Sequence, residues 1–165
     1  IFHNEAWSTL LRSVHSALSR TQPDLLREVI LVDDCSTLAF LGAPLDKYFR
    51  QFPKVKIVRA EKKGGLIKAR LLGFEASTAQ VVVFLDAHIE CYPDWADSLL
   101  LQIKLNPKAV VFPLIDNIND KTFGIGCNKN PVHYANFHLK NLFFDWIEIP
   151  KREFDRRKDI TIPFR

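Results

Sequence analysis

Asp86 and His88, separated only by Ala87, close an apolar run that opens at Val81. At a strand end, side chains i and i+2 point the same way, so this carboxylate and imidazole can face one point in space and share a cation. One oxygen and one nitrogen ligand suit Mn²⁺, Fe²⁺ or Zn²⁺ better than Ca²⁺, and leave coordination positions for a phosphate-bearing substrate. The plainer reading has Asp86 capping a turn and His88 hydrogen-bonded like any other histidine. A second acidic pair, Asp33-Asp34, ends the run Val29-Ile30-Leu31-Val32. A carboxylate there can accept from the ring N–H of a base or from a sugar hydroxyl, or it can simply start a turn before Ser36-Thr37. Adjacent side chains point opposite ways, so one of the pair is expected to face the crevice. Lys62-Lys63-Gly64-Gly65 precedes a helical pattern, and free amides and cations at a helix N-terminus favour phosphate. Neither G-x-x-x-x-G-K-[ST] nor G-x-G-x-x-G occurs, however, and lysines before a helix are often just solvated. His3 falls on the same rim, as a ligand contact or as a structural histidine. Glu5 reads as charge at a helix start. His133 and His138 have no partner at ligand spacing. An acid for a base or sugar, cations for phosphate and a pair for a metal together describe a nucleotide-diphosphate site.

The elements that must position these groups are legible as periodicities. Trp7, Leu10, Leu11, Val14 and Leu18 predict an amphipathic helix to about Arg20, with Asn4 or Ser8 as its cap. Short apolar runs at 29–32, 55–58, 81–85 and 109–112 predict strands, with helical patterns around 45–52, from Gly65 through Phe74, and from Pro93 through Ile103. Strand and helix alternate four times, and the strands are continuously apolar. That is the pattern of an α/β, doubly wound, mostly parallel sheet, which binds ligands at the carboxyl ends of its strands. From Asp116 onward the sequence reads as aromatic-rich and irregular.

The chain has 165 residues, 47% of them apolar, enough for one compact domain with a sizeable core. The net charge is +4, but Lys151, Arg152, Arg156, Arg157, Lys158 and Arg165 against Glu153, Asp155 and Asp159 place +3 within the last fifteen residues. A polyanion-binding face spreads over many elements, so no nucleic-acid partner is expected. Cys35, Cys91 and Cys127 form no C-x-x-C pair and indicate neither a zinc knuckle nor a disulfide framework. No apolar run approaches the roughly 20 residues of a membrane helix. Ile1-Phe2 reads as the stub of a strand and the chain as a fragment. Neither G-x-S-x-G nor H-E-x-x-H supports a hydrolase.

Several segments resemble, in order and spacing, the polypeptide N-acetylgalactosaminyltransferases: Phe2-His3-Asn4-Glu5, Leu10 to Val14, Leu31-Val32-Asp33-Asp34, Gly65 to Arg70, Phe84-Leu85-Asp86-Ala87-His88, and Ile149-Pro150 through Lys158. The resemblance implies a GT-A fold, with residues 1–165 as the N-terminal, donor-binding part of the catalytic domain. It also implies Mn²⁺ and retaining transfer of GalNAc from UDP-GalNAc to Ser or Thr of a protein in the Golgi lumen. Asp86 and His88 correspond to metal ligands, Ala87 to a sugar-nucleotide contact, Asp34 and the segment of His3 to the uridine side, and Lys63 to a residue that is usually an arginine. A third histidine ligand, a mobile loop over the donor, a lectin-like domain and a membrane anchor belong to parts the resemblance places outside this fragment, and it implies disulfide bonds whose pairing it leaves open. The piece alone is therefore expected to have little transferase activity. Ile89 stands where a cysteine is common, and Asn136 and Lys140 depart from a Gly-Gly-Phe-x-Trp stretch. These departures keep a non-catalytic, degenerate member as an alternative. A phosphoacceptor receiver domain is a further alternative, on Asp33-Asp34 and Asp86. Against it, a strand stub and a whole helix precede the acid pair, and no Lys-Pro follows the run at 109–112.

Overall fold

A computed structural model describes residues 1–113, 115–126, 133–138, 140 and 143–157. Two compact units divide the chain, Ile1–Lys108 and Ala109–Arg165. The first runs α1 (Trp7–Arg20), β1 (Val29–Asp33), a 3₁₀ turn (Ala39–Leu41), α2 (Ala43–Phe49), β2 (Val55–Arg59), α3 (Leu66–Glu75) and α4 (Trp95–Leu105). β1 and β2 pair in parallel, from Val29 opposite Val55 to Asp33 opposite Arg59. Phe2 adds a parallel bridge at Asp33, donating to the Val32 carbonyl and accepting from the Asp34 N–H, both at 2.9 Å.

Successive side chains of β1 serve opposite faces, which is how the sheet comes to be covered twice. Leu31 joins Leu10 and Val14 of α1, Leu45 and Phe49 of α2, Phe2, Leu41 and Ala87 in one buried cluster. Val32 turns instead to α3, which approaches so closely that a Cβ on Gly73 would lie 3.0 Å from the Val32 Cγ2. Leu10, Leu41 and Leu45 are fully buried, and each such leucine contributes about 1.5–3 kcal/mol. Trp7, Tyr48, Phe49, Phe52 and His15 extend this layer through edge-on ring contacts, and His15 Nε2 lies 2.7 Å from the Tyr48 hydroxyl.

The α/β class, the parallel pairing and the helices on both faces match the sequence reading; three details differ. The run at 81–85 forms no ladder; it lines a cavity of about 840 Å³ together with Val29–Val32 of β1 and Leu99, Leu100 and Ile103 of α4. The run at 109–112 is likewise not a strand, and Val110 is exposed. A continuous apolar run becomes a strand only where a neighbouring edge offers hydrogen bonds, which the run itself does not encode. Neither Asn4 nor Ser8 caps α1: the cap position is Ala6, in extended conformation. Asn4 sits at φ 53° and spends its side chain elsewhere.

The second unit is more regular than expected. β3 (Asn117–Ile118) pairs antiparallel with β4 (Ile125–Gly126), and β5 (His133–His138) with β6 (Phe143–Glu148), before α5 (Lys151–Arg156). Aromatic-rich sequence carries strand propensity that the absence of strict alternation obscured. The first hairpin turns at Asn119, whose Oδ1 accepts the N–H groups of Lys121 and Thr122 at 3.0 and 2.9 Å. Cys127, Lys158 and Arg165 lie outside the described residues, as do the side chains of Ala135, Asn136 and Phe137.

Candidate functional site

Asp33 and Asp34 diverge as adjacent strand residues must. Asp33 turns toward the sheet's own lattice, pairing with Arg59 and accepting the Ser36 N–H at 2.7 Å. Asp34 turns the other way. Its Oδ1 accepts the Gly64 N–H at 2.7 Å and its Oδ2 the Gly65 N–H at 2.9 Å, while the residue stays 5% exposed. These bonds hold the Asp34 carboxyl below the usual carboxylate range, the Gly64 N–H most strongly, with Gly65, His3 and Lys63 adding to it against the effect of burial. The two amides expected to greet a phosphate before α3 are thus taken by an internal carboxylate. Gly65 permits this because it sits at φ 78° and ψ 175°, a region essentially reserved for glycine.

His3 and Lys63 complete the same corner. His3 Nδ1 lies 2.8 Å from the Asp34 carbonyl oxygen, which can only accept, so Nδ1 carries the proton. His3 Nε2 then accepts from Lys63 Nζ at 3.0 Å. Three of the four residues that sequence assigned to the sugar nucleotide, His3, Asp34 and Lys63, meet here; Ala87 does not, and the Lys63 side chain remains exposed at the rim. Asn4 ties the corner to the next loop: its Oδ1 accepts the Thr37 N–H at 2.7 Å, and its own N–H donates to Ser36 Oγ at 2.9 Å. The asparagine at position 4, a residue type that tolerates left-handed backbone, and the hydroxyl pair Ser36-Thr37 were the available signals for that role.

Asp86 and His88 are both exposed, while Ala87 between them is buried in the core cluster. With no ladder at 81–85, this segment is pinned by α1. Ser13 Oγ accepts the Ile89 N–H at 3.0 Å and lies 2.9 Å from the Ala87 carbonyl. Ser16 Oγ accepts the Cys91 N–H at 3.1 Å. Arg20 pairs with Glu90 at 2.8 Å and donates to the Cys91 carbonyl. Ser13 and Ser16 escaped sequence reasoning, though two hydroxyls on the apolar face of a helix are a readable sign of a buried backbone partner. Glu5 was also missed: its Oε2 lies 3.1 Å from His88 Nδ1. From α3, the Arg70 guanidinium sits 5.9 Å from the Phe84 ring centroid.

A borderline divalent ion fits the donor set of this corner, one carboxylate and one imidazole, both solvent-facing. No group of three or more His, Cys, Asp or Glu side chains gathers at ligand distance among the described residues. Asp86 and His88 could by themselves supply no more than two donor side chains. Cys35 and Cys91 are both free, and burial raises the Cys91 thiol. Among the described residues no helix is long and apolar enough to cross a membrane. Lys140 is exposed, and His138 Nε2 lies 3.3 Å from Asp145.

Comparison with known proteins adds independent findings. The chain is 50% identical to polypeptide N-acetylgalactosaminyltransferase 13 of Homo sapiens over 167 aligned residues, covering all of this chain and 30% of that protein. It is 46% identical to polypeptide N-acetylgalactosaminyltransferase 3 of Taeniopygia guttata, over all of this chain and 27% of that one. The chain therefore spans about a third or less of the length of these relatives. A crystal structure of GalNAc-T7 with UDP, GalNAc and Mn²⁺ superposes with a TM-score of 0.88 at 34% identity, covering 99% of this chain and 31% of that one. The fold is accordingly that of the GT-A transferases. The family model described as glycosyl transferase family 2 matches residues 1–165 throughout, and the chain belongs to that family.

Proposed function

We propose that this chain is the donor-binding part of a metal-dependent retaining enzyme that moves GalNAc from UDP-GalNAc to Ser or Thr hydroxyls of polypeptides. The observation that carries the reading is the convergence of its two halves on one short segment. Through His3, residues 3–5 reach Asp34 and Lys63; through Glu5, they reach His88. The relatives named above act in this class, and GalNAc-T7 was crystallised with UDP, GalNAc and Mn²⁺.

In this reading Asp86 and His88 hold Mn²⁺, which when bound acts as a Lewis acid on the pyrophosphate leaving group. Lys63 supplies an exposed cation at the rim. Position 63 is lysine rather than arginine, so it offers a point charge in place of a fork. Its bond to His3 nevertheless fixes where that charge stands, which favours a working site over a degenerate one. Asp34 frames the uridine side by immobilising Gly64-Gly65 and His3, and its remaining lone pairs are the acceptors for a base N–H. Ala87 is buried in the core cluster and its carbonyl accepts from Ser13 Oγ, so its side chain is not offered to the sugar nucleotide. The receiver-domain alternative is set aside by family membership across the whole chain. The reading carries with it a Golgi lumenal location, a protein acceptor, and a membrane anchor and lectin-like domain elsewhere in the full protein.

The test is transfer by the full-length protein from UDP-GalNAc to a Ser/Thr-rich peptide with Mn²⁺. A glycopeptide with an α-linked GalNAc, seen by mass and by NMR, is the expected product. No turnover of donor or peptide, with nucleotide binding intact, would point to the non-catalytic alternative instead.

A further inference from the structure

Sequence reasoning left Glu5 with no role beyond charge at a helix start, yet in the structure it is the side chain that meets His88. We infer that Glu5 is a positioning residue for the metal site, fixing the His88 tautomer so that Nε2 is presented to the cation. The inference rests on the metal-site reading above and deepens it.

A carboxylate only accepts, so the 3.1 Å contact between Glu5 Oε2 and His88 Nδ1 places the proton on Nδ1 and leaves the lone pair on Nε2. Metal-bound histidines commonly donate their other ring N–H to a carboxylate in this way, which orients the ring and raises its basicity. Exposure is divided as the role requires. The His88 side chain is 64% exposed and open to a ligand, whereas Glu5 is 22% exposed and screened from competing water. Glu5 is itself held: its Oε1 accepts the Ala6 N–H at 3.0 Å. The backbone on its other side is fixed by the Phe2 bridge and by Asn4, whose amide clasps residues 36–38. The imidazole is therefore aimed from a rigid point, not by a free surface side chain. A largely exposed Glu–His pair adds little to stability. Its removal should accordingly show in metal affinity and not in the melting temperature.

The experiment is Mn²⁺ binding to the full-length protein without nucleotide, followed by the EPR signal of free Mn²⁺, for wild type, Asp86→Ala, Glu5→Ala and Glu5→Gln. Asp86→Ala is expected to lose measurable binding, and Glu5→Ala to weaken it about 10- to 100-fold. Glu5→Gln keeps an oxygen acceptor for Nδ1–H and should weaken it less, with melting temperatures close to wild type. Glu5→Ala and Glu5→Gln both within twofold of wild-type affinity, alongside a defective Asp86→Ala, would overturn the Glu5 assignment alone. Wild-type affinity in Asp86→Ala would overturn the metal site and the inference with it. Should Glu5→Ala fail to fold, Glu5→Gln decides: a loss of threefold or more supports the role, and unchanged affinity overturns it.

Discussion

Replacing Asp34 with asparagine should loosen the corner that joins β1 to the start of α3. The carboxylate accepts from the Gly64 N–H at 2.7 Å and the Gly65 N–H at 2.9 Å in a residue that is 5% exposed. Hydrogen bonds to a charged partner contribute about 1.5–3 kcal/mol each. Asparagine keeps one carbonyl oxygen for one amide and sets its NH₂ against the other, so one charged bond is lost and the second is weakened. Sparing the burial of a charge offsets part of this, leaving a net cost of about 2 kcal/mol. That is roughly thirtyfold in the local opening equilibrium. Amide exchange followed by mass spectrometry on a peptide spanning residues 60–66 reads it directly. The pH dependence gives a second check. Because the Asp34 carboxyl is depressed in the folded state, its contribution is complete above the ordinary aspartate value of about 4 and is lost as pH falls through the lower, folded value. The difference between wild type and Asp34→Asn should therefore be full at pH 7 and shrink in acid. Equal exchange at neutral pH, or a difference that does not narrow on acidification, would refute the reasoning.

Gly65→Ala should cost about 1–3 kcal/mol, through backbone strain alone. A Cβ there would meet nothing within 4 Å, whereas φ is +78°, so urea midpoints should fall without any sign of a packing defect. Ser13→Ala leaves the Ile89 N–H without its acceptor and should cost about 1–3 kcal/mol. It should also weaken Mn²⁺ binding, because the segment bearing His88 loses its anchor; wild-type metal affinity would deny α1 that role. Glu28 is lowered to about 2, chiefly by Lys56 and then by the Thr78 N–H, so its stabilisation is present above about pH 4.5 and is lost toward pH 2. Lys56 is 51% exposed, so after discounting for solvent Glu28→Gln should cost only about 1 kcal/mol at pH 7 in thermal unfolding, a cost that disappears as pH falls through about 2.

What the sequence made legible is what local chemistry determines. The 3.6-residue spacing of Leu10, Val14 and their neighbours yields α1, and β-branched runs yield β1 and β2. Acids at strand ends yield a rim. His3, Asp34 and Lys63 were assigned to one side of a site and do meet. Less legible was anything that depends on a partner distant in the chain. Val81–Leu85 has strand composition but joins no ladder, and Gly64-Gly65 has free amides in sequence but a carboxylate from thirty residues earlier in space. Ser13, Ser16 and Glu5 act through groups some 75 to 83 residues away, a separation that no local pattern registers.

The central claim is that Asp86 and His88 jointly hold a divalent ion to which a sugar nucleotide binds. Its most direct test is calorimetric titration of UDP into the full-length protein with and without Mn²⁺, for wild type, Asp86→Ala and His88→Ala. The account predicts that Mn²⁺ strengthens UDP binding to wild type and that either substitution abolishes this gain. A Mn²⁺-dependent gain that survives in both variants would contradict it.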